Sequence, residues 1–103
     1  MDEGGGYWDS GFIQTVDWFG DGTRIPMIVV SPYSKGVGVV HSYGDHASFV
    51  KFIEYNWRLP KIGRYSRDNL KNPIQEDGSY VPANMPAIGD LFDMFDFDGQ
   101  DRK

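Results

Sequence analysis

Residues 27–30, Met27-Ile28-Val29-Val30, constrain this chain more than any other stretch. Four apolar side chains in succession, three of them β-branched, favour a strand. The run is continuous rather than alternating, so such a strand is apolar on both faces. Pro26 falls at its first residues, where a missing N–H is tolerated. A strand over residues 24–31 therefore needs neighbouring strands and a covering layer on each face. The remainder of the 103 residues does not supply them.

What the rest offers is mainly helix and loop. Residues 1–23 are rich in Gly, Asp and aromatics without a sustained period and read as loop, with Gly20-Asp21-Gly22 as a tight turn. Val39-Val40-His41 is a short apolar stretch after the turn residues 31–38. Asp45 is a natural N-cap for a helix from about His46 to Trp57, because its carboxylate can accept from the first-turn amides. Phe49, Phe52, Ile53 and Trp57 recur on one stripe of that helix, widened by Val50, and Leu59-Pro60 ends it. Residues 58–83 read as a long connection. A second helix is expected over 86–95, where Ile88, Leu91, Phe92 and Phe95 stand at i, i+3, i+4 and i+7. Residues 98–103 form a polar, frayed tail. One strand, two helices and long loops suit part of a domain better than a self-sufficient one.

Charge and composition exclude several function classes. At 40% hydrophobic and 16% aromatic residues, the chain is too apolar to be disordered. A net charge of -5 argues against nucleic acid as the main partner. The basic group Arg58, Lys61, Arg64, Arg67 and Lys71 reads as a solvated loop. Without cysteine there are no disulfides and no thiolate metal sites. No apolar run reaches the ~20 residues of a membrane span. The opening MDEGGGYWDSG lacks the basic-then-apolar pattern of an export signal.

Three clusters carry candidate chemistry. Asp2-Glu3 precedes three glycines, and adjacent carboxylates suit divalent cations that want oxygen ligands; the competing reading is a frayed acidic terminus. His41, Asp45 and His46 could bind metal or move protons, but the capping duty of Asp45 favours a structural role. Asp93, Asp96, Asp98 and Asp101 around Gly99 fail as a calcium loop, because Met94 would occupy the first ligand position. No serine or threonine lies in a nucleophile elbow, and no phosphate-cradling loop is present.

Four ordered segments together resemble the C-terminal region of the bacterial phosphoesterase family, which includes acid phosphatases and non-haemolytic phospholipases C. They are residues 2–9 (DEGGGYWD), 22–32 (GTRIPMIVVSP), 43–54 (YGDHASFVKFIE) and 90–97 (DLFDMFDF). The resemblance implies an alkaline-phosphatase-like α/β architecture, a mainly parallel sheet flanked by helices, of which residues 1–103 form the C-terminal part. It places Asp2 and Glu3 on an acidic pair that ends a strand in a divalent-metal-assisted phosphoester-cleaving site. Many members carry Asp-Asp there, and Glu3 is one methylene longer. Asp45 and His46 carry over only as structural or supporting residues.

The same resemblance assigns the nucleophile and the other ligands to upstream segments, and the strand that would hold the pair is cut off at Met1. The chain is thus expected to be an inactive fragment that would meet a phosphoester substrate only with the missing N-terminal part, through association with an upstream polypeptide. Family members are often exported, so an export signal would also lie upstream. The rival expectation is a standalone acidic module that binds a partner protein or a cation.

Overall fold

The computed structural model describes residues 18, 22–36, 38–73 and 86–98. Asp2, Glu3, most of the expected N-terminal loop, the first two residues of the Gly20-Asp21-Gly22 turn, the second half of the long connection and residues 99–103 lie outside the described residues.

The one α-helix among the described residues, α1, spans His46–Trp57. Its start follows from a reciprocal cap. Asp45 Oδ1 accepts from the Ala47 amide at 2.7 Å, and Ser48 Oγ accepts from the Asp45 amide at 3.1 Å. Its end follows from Arg58, which takes the left-handed conformation at φ 55° and donates its amide back to the Glu54 and Tyr55 carbonyls. Leu59 N then donates to Glu54 O at 2.8 Å, closing the last turn.

The helix does not bury the face that its aromatic stripe suggests. Ser48, Lys51 and Glu54, at successive i, i+3 positions, are its buried residues, whereas Phe49, Ile53 and Trp57 are exposed. The polar face turns inward because the loops beneath it present backbone oxygens and amides that satisfy it. Of the stripe, Val50 and Phe52 are drawn part-way in, Phe52 stacked on Phe92 at 4.7 Å between ring centroids.

The expected helix over 86–95 is not formed. Its end carries a single 3₁₀ turn, Phe92–Met94, and residues 86–91 run without helix. Tertiary hydrogen bonds override the local period there. Ile88 N donates to Lys71 O at 2.9 Å and Gly89 N to Tyr43 O at 2.7 Å, which takes both amides out of any helical ladder. Gly89 is packed so closely that a Cβ would meet Tyr43 O at 3.1 Å. Leu91 then adopts φ 68°, which a helix interior forbids. Ala87, Ile88 and Leu91 are the buried apolar core among the described residues.

The long connection contains a second 3₁₀ turn, Arg67–Asn69, packed against α1. Residues 24–31 form no strand, and Ile28 and Val30 are 87% and 93% exposed. The one β-bridge there is antiparallel, between Ser34 and Phe95. Lys35 N→Met94 O at 3.1 Å and Asp96 N→Tyr33 O at 2.7 Å flank it.

Candidate functional site

Asp45 stands at the junction of two elements. One carboxylate oxygen caps α1, and the other accepts from Arg67 through Nε at 2.9 Å and through a terminal guanidinium nitrogen. This two-point grip ties the 3₁₀ turn Arg67–Asn69 to the start of α1. Both Asp45 oxygens are thereby engaged. His46 is exposed as the first residue of the helix, and His41 is half-buried in the preceding segment. Among the described residues no three His, Asp, Glu or Cys side chains converge into a metal-holding group.

The densest polar cluster lies under α1 and was not marked by the sequence reading. Lys51 is 4% exposed. Its ammonium donates to Leu70 O at 2.9 Å, to Ile88 O and to Asn72 Oδ1, so all three protons have acceptors. Asn72 in turn donates to Asp90 Oδ2 at 2.6 Å. Burial pushes the Lys51 ammonium below its ordinary pKa, assisted by the positive charge of Lys61 and opposed by Asp90, Asp45 and Asp68.

Glu54 and Asp68, 5% and 2% exposed, complete the cluster. Glu54 Oε2 accepts from Lys61 Nζ at 2.9 Å, while Oε1 is buried with no donor in hydrogen-bonding position. Asp68 Oδ2 accepts from the Ile62 amide at 3.0 Å. Burial alone would raise the Asp68 pKa, but hydrogen bonds from the Ser66 hydroxyl and the Ile62 amide outweigh it and hold the carboxyl below its usual range. A signal for this cluster was present in the sequence: Ser48, Lys51 and Glu54 share one helical face opposite the aromatics.

The geometry of these groups is that of a staple rather than of a reaction centre. Each charge is matched to a fixed backbone or side-chain partner. Ser42 Oγ likewise donates to the Asp93 carboxylate and links the approach to α1 with the C-terminal segment. The candidate acidic pair, Asp2 and Glu3, lies outside the described residues.

Comparison with known proteins adds what the geometry lacks. A model of the phosphoesterase family matches residues 1–60, a span that includes Asp2, Glu3, Asp45 and His46. The chain is 35% identical over 83 residues to a non-hemolytic phospholipase C of Burkholderia pseudomallei, covering 81% of this chain and 10% of that protein. It is 32% identical over 80 residues to the hemolytic phospholipase C of Pseudomonas aeruginosa, covering 78% of this chain and 9% of that protein. A shorter match, 44% identical over 41 residues, joins it to phospholipase C B of Mycobacterium tuberculosis, with 40% and 8% covered. The chain thus spans about a tenth of the length of the curated relatives it matches. No solved structure matches it. With more than half of its length inside the family model, the chain belongs to the phosphoesterase family.

Proposed function

We propose that this chain is the C-terminal part of a phosphoester hydrolase, of phosphatase or phospholipase C type, and that it supplies an acidic pair to the active site while being inactive alone. The observation that carries the reading is the family match over residues 1–60, which takes in Asp2 and Glu3, set against coverage of only a tenth of each relative. Phosphoester cleavage needs a nucleophile, charge stabilisation for the phosphoryl oxygens and a rigid frame that holds both.

Asp2 and Glu3 fit a hard divalent cation by donor chemistry, since carboxylate oxygens are what such ions take. The cation would stabilise negative charge on the phosphoryl oxygens. The task of this chain's own residues is positional. Asp45 and Arg67 fix the start of α1, and the Lys51 staple fixes the loops beneath it. Neither group has a free valence for chemistry.

The test is hydrolysis of p-nitrophenyl phosphate and bis(p-nitrophenyl) phosphate with added divalent metals. The chain alone should show no turnover above background. Grafted whole into the Burkholderia relative in place of the matching segment, it should support turnover that Asp2→Ala or Glu3→Ala reduces by at least about a hundredfold. Turnover by the isolated chain that Asp2→Ala abolishes would overturn the inactivity; a graft indifferent to both variants would overturn the role of the pair.

A further inference from the structure

We infer that the end of α1 and the loop after it, residues 55–65, form a docking surface for an anionic lipid bilayer, lying among the headgroups without crossing the membrane. The inference goes beyond the proposed hydrolysis and does not depend on the acidic pair. Tyr55, Trp57, Leu59, Ile62 and Tyr65 are all exposed large apolar side chains, with Ile62 at 75% and Tyr65 at 90%. Single exposed apolar residues are ordinary, but so close a succession marks an interaction surface. Arg58, Lys61 and Arg64 are exposed between them, and no acidic residue interrupts residues 55–65, on a chain of net charge -5. Tyr55, Arg58, Leu59 and Lys61 line one shallow depression, and the Arg64 guanidinium lies 5.4 Å from the ring centroid of Tyr65.

Charge alone would make this stretch a solvated loop, and the apolar side chains do not fit one. The alternation of the two suits a bilayer interface. Trp and Tyr rings sit there at headgroup level, and Arg stems reach apolar depth while their charges stay at the phosphates. The backbone narrows the choice further. The Arg58 amide donates to the Glu54 and Tyr55 carbonyls, and the Leu59 amide to Glu54 O at 2.8 Å. The Ile62 amide donates to Asp68 Oδ2 and the Gly63 amide to Ser66 Oγ, both at 3.0 Å. Pro60 has no N–H. A peptide strand adding to the loop would need those amides free. An apolar interface needs them satisfied, because an unpaired amide in such a layer costs free energy. Buried Asp68 holds the loop from beneath, so little ordering is left to lose on docking. Lys61 already faces Glu54 at 2.9 Å, which leaves Arg58 and Arg64 as the main carriers of attraction.

The experiment is co-sedimentation of the chain with phosphatidylcholine vesicles, with and without about a quarter of phosphatidylserine, at about 0.1 M salt. Binding should require phosphatidylserine and weaken as salt rises to about 0.5 M. Each cation at an anionic surface contributes roughly fivefold, so Arg58→Gly with Arg64→Gln should weaken binding by about twenty-fivefold. Ile62→Ser with Tyr65→Ser should weaken it by at least about tenfold, with the circular-dichroism signal of α1 unchanged. Tyr65→Ser alone, at the most exposed of these positions, should act in the same direction. No binding to phosphatidylserine vesicles, or equal binding without phosphatidylserine, overturns the inference. So does binding that the arginine variant weakens and the apolar variants do not, since the partner would then be a hydrated polyanion. None of these readouts involves turnover, so failure of the acidic-pair reading leaves them unchanged.

Discussion

Lys51→Met removes the centre of the buried staple while keeping the length and the helix preference of the side chain. Three acceptors lose their donor: Leu70 O, Ile88 O and Asn72 Oδ1. Asn72 is exposed and recovers water, so two carbonyls bear the loss, and Ile88 is fully buried. An orphaned buried acceptor costs about 1–3 kcal/mol, and releasing a buried ammonium returns part of that. The net expectation is a loss of about 2 kcal/mol. With a urea m-value of about 1–3 kcal/mol/M, the midpoint of helix loss by circular dichroism should fall by about 1 M.

The pH dependence checks the cause. Because burial lowers the Lys51 pKa, the unfolded chain holds a proton that the folded one releases between the depressed value and 10.5. Stability contributed by this group therefore rises with pH across that window, and Lys51→Met should lack the rise. A midpoint unchanged to within about 0.2 M, or a variant with the same alkaline rise, would refute the reasoning.

Arg58 spends its left-handed φ of 55° without the freedom of glycine, so Arg58→Gly should raise the midpoint by about 0.5–1 kcal/mol equivalent. Asp45→Asn keeps an oxygen for the Ala47 amide but loses the charge opposite Arg67, whereas Asp45→Ala loses both. Urea titration should rank them parent, Asn, Ala, with Ala down by about 1–2 kcal/mol. Asp68 is held below its ordinary 3.8, so its contribution is complete above that pH and disappears as pH falls through the lowered folded value. Acid titration of Asp68→Asn should show a shallower loss of helix there than the parent.

Local signals read correctly from the sequence are those that local physics decides. The bounds of α1 followed from Asp45 as a cap and from Leu59-Pro60 as a stop, and the helix runs His46–Trp57. The identity of its buried face did not follow, because burial here is set by oxygens of Leu70 and Ile88 that no short window contains. The expected helix over 86–95 failed for the same reason. Its apolar spacing is real, but the Gly89 amide is worth more to the Tyr43 carbonyl than to a helical turn. The strand expected over residues 24–31 is not formed, and Ile28 and Val30 of its apolar run stay exposed. Asp2 and Glu3 were reached through a family pattern, since a carboxylate pair beside glycines has no geometry of its own to announce it.

Five of the links among the described residues are nested around α1. Glu54–Lys61, Lys51–Leu70, Lys51–Ile88 and Ser42–Asp93 join residues 7, 19, 37 and 51 apart, and the Ser34–Phe95 bridge encloses them all. Closing that outermost bridge directly, over a loop of roughly sixty residues, costs on the order of 4 kcal/mol of chain entropy. Once the inner links exist, most of that distance is already spanned. Formation should therefore run outward from the helix like a zip, and opening should begin at the Ser34–Phe95 end. A deletion that removes Phe95 would then leave the Lys51 links standing, whereas a break at Lys51 would remove the inner closures on which the outer bridge depends.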